Sequence, residues 1–204
     1  MKKFIANLLI MILISFVLFA CTIEVKHTID IKSDGSGKAK IYILFSKEAL
    51  SVVPRSKIKH DLQKEGWKIV KEEEKENGQY FIFAEKSFSN IQDLNESLIK
   101  YTFITKKEGF LTRNNYLELE FKNSVSPTVF YELIVKLPGS IKDTNGERLS
   151  KSEVKWSLEG VNKGTKLFAK SSSFIIPTYV WLVVFFFLLL VIIVIVKKRI
   201  KPSV

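Results

Sequence analysis

Residues 22–45 have the sequence TIEVKHTIDIKSDGSGKAKIYILF, in which two alternating stretches flank a glycine-containing turn. Four aliphatic residues of the first stretch fall on one side of the chain: Ile23, Val25, Ile29 and Ile31. Charged and hydroxyl residues occupy the alternate positions, a period of two that predicts strands with one buried face. Because Asp34-Gly35 is typical of hairpin turns, the stretch predicts two antiparallel strands at the start of a folded domain.

The chain up to residue 170 predicts more strands and two short helical regions. Asn77-Gly78 joins two alternating stretches as a second hairpin. Capping residues and apolar spacing predict one helical region over residues 47–65, interrupted at Pro54, and an amphipathic helix over residues 90–100. Alternation returns in five later stretches: 101–107, 115–121, 128–137, 153–158 and 166–170. We therefore expect an α+β fold, with a mainly antiparallel sheet and two short helical segments, plus one C-terminal transmembrane helix.

Two apolar segments lie outside this domain, at residues 4–20 and 178–196. Lysines precede the first segment, and the basic sequence KKRIK follows the second. At about 1.5 Å per residue, the second segment is long enough for a hydrocarbon core of roughly 30 Å. Since positive residues stay on the cytoplasmic side, we expect a single-pass cell-membrane protein with its domain outside and its C-terminus in the cytoplasm.

These features divide the sequence into five regions. They are a lipoprotein-type signal peptide (1–20), an extracytoplasmic α+β domain (21–170), a juxtamembrane tether (171–177), the transmembrane helix (178–196) and a basic cytoplasmic tail (197–204). Six of the 32 basic residues lie in the terminal regions, which leaves 26 against 21 acidic residues in the middle. This modest excess does not predict nucleic-acid binding.

Cys21 is the one cysteine of the chain and stands where the first apolar segment ends. Leu18 at position −3 and Ala20 at −1 resemble the end of a bacterial lipoprotein signal, from which Phe19 at −2 departs. We predict Cys21 as the lipid-attachment residue, because only a thiol forms the thioether that carries the diacylglyceryl group. Two acyl chains at one residue suffice for stable anchoring. The alternative is an ordinary apolar cysteine at the end of an uncleaved membrane anchor.

The sequence contains no recognisable catalytic or metal-binding motif. His27 and His60 are the two histidines, and the sequence favours a core histidine and a solvated one. We therefore predict a protein that is not an enzyme, with no catalytic residue, no metal ligands and no cofactor. The acidic run Glu72, Glu73, Glu74 and Glu76 is either a solvated strand edge or a patch for a divalent ion or a partner.

Five phenylalanines in the middle of the predicted domain form a candidate set. The set comprises Phe81, Phe83, Phe88, Phe103 and Phe110. Rings on both faces of one strand form either a double-sided core or an apolar groove for acyl chains or another apolar ligand. The sequence leaves both interpretations open, and it does not identify ligand-binding residues.

Several features together resemble the LppM-like domain family of bacterial cell-envelope lipoproteins. They are the leader ending in Cys21, the DGSG turn at 34–37, Phe88 before a short helix, LPGSIKDTNG at 137–146 and VKW at 154–156. The resemblance implies an envelope lipoprotein with an α+β outer domain, a type linked in some members to lipid or lipoglycan binding. It transfers no site residues.

We therefore expect a membrane-anchored, extracytoplasmic, non-catalytic lipoprotein that binds envelope lipid or glycolipid. Its expected partners are the lipid bilayer, contacted by the lipid anchor and the transmembrane helix, and an envelope lipid or lipoglycan. The alternative hypothesis is a structural or assembly partner of another membrane protein.

Overall fold

Two β-sheets form the folded part of the chain. The computed structural model describes residues 22–94, 98–108 and 111–174, together with residues 180, 185–188 and 192. Its strands are β1 (Ile23–Ile31), β2 (Gly37–Phe45), β3 (Lys68–Glu74), β4 (Tyr80–Phe88), β5 (Ile99–Glu108), β6 (Thr112–Phe121), β7 (Val125–Lys136), β8 (Ser140–Thr144), β9 (Glu147–Arg148), β10 (Glu153–Val161) and β11 (Lys166–Phe174). Helices α1 (Lys47–Val52) and α2 (Arg55–Lys64) lie between β2 and β3.

The larger sheet has seven strands in the order β3-β4-β2-β1-β7-β10-β9. The predicted β1–β2 hairpin is confirmed, with Ile23 opposite Phe45 and Ile31 opposite Gly37. The hairpin around Asn77-Gly78 is also confirmed, as β3 and β4. Strand β7 pairs with β1 in parallel, whereas the other neighbours in this sheet are antiparallel.

The smaller sheet has four antiparallel strands in the order β5-β6-β11-β8. Its buried side chains and those of the larger sheet belong to one hydrophobic core. Phe121 of β6 contacts Tyr131 of β7 edge to face, with ring centroids 6.3 Å apart. Burial of one face of each sheet is the main stabilising term for such a fold.

The predicted α+β class is wrong, because β-sheet dominates the described residues. Both parts of the first helical region are confirmed, and the Ser46 hydroxyl accepts a hydrogen bond from the Ala49 amide at 3.2 Å as the cap of α1. The described residues of the range 90–100 do not form the predicted amphipathic helix. A 3₁₀ turn, Ile91–Leu94, is followed by β5 from Ile99. Pairing of β5 with β6 overrides the local helical spacing there.

The predicted transmembrane helix and the localisation that depended on it are also wrong. Among the residues that the structure describes, no helix has both the length and the apolar character needed to cross a bilayer. An apolar run supplies the composition of a span, and composition alone does not establish a helix of the about 20 residues that a span needs. Most of residues 178–196 lie outside the described part of the chain, as do the signal peptide and the tail.

One further prediction concerns the C-terminal boundary of the domain. Residues 171–174 were expected in the tether, but they form the end of β11, which pairs with β6 up to Phe174 opposite Thr112. Ser171 is buried, and Ser172 and Ser173 are half-buried, so the polar composition that suggests a tether also suits a paired strand.

Asn145 links the two sheets at one corner. Its side-chain oxygen accepts hydrogen bonds from the Trp156 indole nitrogen at 3.0 Å and from the Phe168 amide at 2.9 Å. A Cβ on Gly146 would lie 2.6 Å from that indole nitrogen, so the turn must carry glycine to approach the ring. The Asn-Gly and Val-x-Trp features of the sequence therefore form a packing corner between β10 and β11.

Candidate functional site

An apolar groove lies on the outer face of the seven-stranded sheet, the face turned away from the core. Strand β7 shows how alternation creates it, because Tyr131 and Leu133 are buried whereas Phe130 points outward and is 43% exposed. We call this feature the aromatic groove and define its walls by Tyr42, Leu44, Phe81 and Phe130. Its volume is about 470 Å³, within the range of about 300–1,000 Å³ that is typical of small-molecule sites.

Cross-strand pairing orders the aromatic side of the groove. In the β2–β4 register, Tyr42 lies opposite Phe83 and Leu44 opposite Phe81. The Tyr42 and Phe83 rings stack at 4.6 Å with 8° between their planes, and the Phe81 ring lies 6.4 Å from Tyr42. Such pairs hold one another in place on a sheet surface. The groove wall is therefore preformed.

Charged side chains of both signs surround the apolar wall. Lys26 and Glu132 form an ion pair of 3.0 Å across β1 and β7. Glu24, Lys75 and Glu159 line the same groove. A mixed rim of this kind repels neither anionic nor cationic head groups strongly, so the apolar wall sets the preference for a ligand.

The groove begins at the N-terminal end of β1, where Glu24 and Lys26 line it. Cys21, the predicted lipid-attachment residue, precedes Glu24 by three positions and lies outside the described residues. The sequence therefore places the predicted attachment point and the groove at the same end of β1.

The structure places some of the predicted aromatic residues in the core and others on the outer face of the larger sheet. Phe88 is buried in the core, and Phe103 is half-buried against it. Phe81 and Phe83 lie on the outer face, and Phe110 lies outside the described residues. Tyr42, Leu44 and Phe130 were not predicted as site residues. A signal for them exists in the sequence. Each is an apolar residue whose neighbours along β2 or β7 already face the core, so it must face outward.

His27 is a core residue with no access to solvent. Its Nδ1 lies 2.8 Å from the Tyr131 hydroxyl, and the Trp67 ring contacts the imidazole edge-on at 5.5 Å. Its Nε2 has no hydrogen-bond partner among the described residues. Burial lowers the pKa of His27 from 6.5 to about 3, so the ring is neutral at physiological pH. His60, by contrast, is exposed on α2.

The acidic run on β3 serves to hold α2 against the sheet. Glu74 accepts two hydrogen bonds of 2.7 Å from Arg55, and Glu72 accepts one of 3.0 Å from Lys59. The Tyr80 hydroxyl donates to Glu72 at 2.6 Å, and burial, together with this bond, raises the pKa of Tyr80 to about 12. Over residues 22–94, 98–108 and 111–174, no group of three potential metal ligands occurs.

Comparison with known proteins found similarity to solved structures. The chain is similar to the folded domain of the Mycobacterium tuberculosis LppM protein, determined by NMR. The TM-score is 0.45 and the sequences are 17% identical, over 75% of this chain and 91% of that one. No protein-family model matches the sequence. No curated protein matches it either.

Proposed function

We propose that this domain is a non-catalytic envelope lipoprotein that binds the acyl chain of an envelope lipid or glycolipid in the aromatic groove. The observation that carries the proposal is the preformed apolar wall of Tyr42, Leu44, Phe81 and Phe130 on the outward face of the seven-stranded sheet. An outward apolar face is costly in water unless a ligand or partner covers it.

The shape and chemistry of the wall favour an acyl chain over other apolar ligands. The groove crosses adjacent strands β4, β2, β1, β7 and β10, so it offers an elongated floor. Each methylene group that leaves water contributes about 0.8 kcal/mol. The charged rim of Lys26, Glu132 and Lys75 stays available to the polar end of the ligand.

The groups around the groove support binding and not catalysis. Its titratable side chains are carboxylates, lysines and Tyr42 on an open surface, and no histidine lines it. The buried histidine of the described chain, His27, is on the opposite face of β1 among core residues. Ser157 supplies the one hydroxyl of a serine in the lining, and the lining contains no histidine to act as its base.

Replacing Phe130 with serine is expected to weaken oleate binding about tenfold or more, because the ring supplies apolar contact area of the wall. Phe130 is 43% exposed, so the variant retains the core. The measurement is displacement of the fluorescent fatty acid cis-parinarate by oleate from the full-length chain in a neutral detergent.

The matched control is Ile104→Ser, which removes a strand side chain of similar exposure, 45%, from the smaller sheet. We expect oleate affinity within about twofold of the parent for this control. Equal affinity of the parent and Phe130→Ser, or an equal loss in both variants, would show that fatty acid does not occupy the groove.

We further propose that Cys21 carries the lipid that makes the protein a lipoprotein. The support is its position after Leu18 and Ala20 and directly before β1. Cys21→Ser should abolish palmitate incorporation in cells and leave the precursor uncleaved, because serine cannot form the thioether. Metabolic labelling and the mass of the product test this, and persistent labelling of the serine variant would exclude attachment at this residue.

A further inference from the structure

We propose a second binding site, for a phosphate ester, at the end of the domain opposite the aromatic groove. A cleft of about 880 Å³ lies there, where β1 and β7 end and β11 reaches its last residues. We call it the serine-lysine cleft. It is lined by Lys32, Lys136 and Lys151 and by Ser33, Ser140, Ser152, Ser172 and Ser173. This inference does not rest on the proposed lipid-binding function.

Three lysines share the cleft with one carboxylate, that of Asp30, and the Asp34 carboxylate interacts electrostatically with Lys32. Asp30 lies 3.9 Å from Lys136, at the outer limit of an ion pair, and both side chains are more than half exposed. Within the described residues, neither Lys32 nor Lys151 forms an ion pair. Lysines elsewhere are paired more closely, such as Lys170 with Asp143 at 2.9 Å. An anionic ligand would supply the missing countercharge.

Hydroxyl donors stand beside these lysines. Ser140 and Ser172 are opposite one another in the β8–β11 register. Neither hydroxyl, nor that of Ser152, makes a hydrogen bond to another described residue. Serine hydroxyls and lysine ammonium groups are both donors to phosphate oxygens. Arg113, whose guanidinium donates to the Ser33 carbonyl at 2.7 Å, adds a further cation at the border of the cleft.

The backbone that carries Ser140 and Ser172 is tightly packed. Gly139 has a φ of +88°, and a Cβ on it would lie 2.2 Å from the Ser172 carbonyl oxygen. The Pro138-Gly139 turn therefore packs directly against β11. The Ser171 hydroxyl donates to the Pro138 carbonyl at 2.8 Å and fixes the same contact. Preformed donors lose little entropy when a ligand binds, which favours a specific site.

The chemistry of the cleft fits a phosphate ester of a polyol. The lysines match the anion, the serines match phosphate or sugar oxygens, and the volume exceeds what a bare phosphate requires. Such a group occurs in free polyol phosphates and in phospholipid head groups. Glycerol 3-phosphate and the monomeric short-chain lipid dihexanoylphosphatidylglycerol distinguish the two sources, with dihexanoylphosphatidylcholine as the zwitterionic comparison.

The test is calorimetric titration of the full-length chain in a neutral detergent with each of these three probes. We expect binding of glycerol 3-phosphate if free polyol phosphate is the source, or of dihexanoylphosphatidylglycerol alone if the head group is. The variant Lys32→Gln/Lys136→Gln/Lys151→Gln should weaken that binding about tenfold or more, because each lysine contributes a charge-assisted contact. The three lysines that this variant replaces are exposed in the parent, so we expect the variant to fold.

A second triple variant, Lys57→Gln/Lys64→Gln/Lys68→Gln, removes the same charge from exposed lysines near α2 and β3. It should keep affinity for the anionic probe within about twofold. The proposal is overturned if the parent binds neither anionic probe, if phosphatidylcholine binds equally well, or if both triple variants lose affinity equally.

Discussion

Replacing Phe121 with alanine is expected to lower the free energy of unfolding by about 3–5 kcal/mol, the largest effect of any single change considered. Phe121 is fully buried in β6, and its ring meets Tyr131 of β7 edge to face at 84°. The substitution therefore leaves a cavity between the two sheets. The surrounding strands are paired on both sides and cannot collapse to fill it.

Urea denaturation, followed by tryptophan fluorescence, measures this effect. Trp67 and Trp156 are both buried, at 3% and 4% exposure, so their emission reports loss of the core. Phe174→Ala is the matched control, because Phe174 is 69% exposed at the end of β11, and we expect a change of about 0.5 kcal/mol or less. Similar effects of the two substitutions would mean that the sheets do not share one core.

Acidification from about pH 7.5 to about pH 5 is expected to reduce the free energy of unfolding by about 2 kcal/mol through His27. The folded chain holds His27 neutral, with a pKa lowered to about 3, whereas the unfolded chain takes up a proton near pH 6.5. Because the unfolded state then binds more protons, stability is complete above pH 6.5. It is lost as the pH falls from there towards 3.

The variant His27→Leu/Tyr131→Phe tests this assignment, because it removes the imidazole together with the hydroxyl that contacts it. We expect the variant to lose most of the pH dependence between pH 7.5 and 5. His60→Gln, which alters the exposed histidine of α2, should retain it. Glu72 and Glu74 have lowered pKa values, and their contributions are lost at a more acidic pH. An unchanged slope in the double variant would remove His27 as the cause.

Local signals in the sequence predicted the elements that depend on local chemistry. The Asp34-Gly35 and Asn77-Gly78 turns and the Ser46 cap gave the hairpins and the first helix correctly. The prediction of an α-helix over residues 90–100 was wrong. Ile91 and Leu94 are three positions apart, a spacing that suits a 3₁₀ turn as well as an α-helix. The partner strand β6 decided between them, and no local pattern contains that information.

The sheet order and the site depend on contacts between distant residues. The parallel pairing of β1 with β7 joins segments about a hundred positions apart, such as His27 and Leu133. Alternation identifies the two faces of β2 and β7 but not which apolar residues face water. From the sequence, Phe81 and Phe83 could therefore belong either to the core or to a groove. The sequence offered no reason to select Tyr42 or Phe130 as groove residues.

Photoaffinity labelling tests the central claim most directly. The full-length chain is irradiated with a diazirine-bearing fatty acid, and labelled peptides within residues 22–174 are mapped by mass spectrometry. The account predicts adducts on the outer-face segments of β2, β4 and β7 that contain Tyr42, Phe81 and Phe130, and competition by oleate. Adducts spread evenly over both sheets, or concentrated away from these strands and insensitive to oleate, would contradict it.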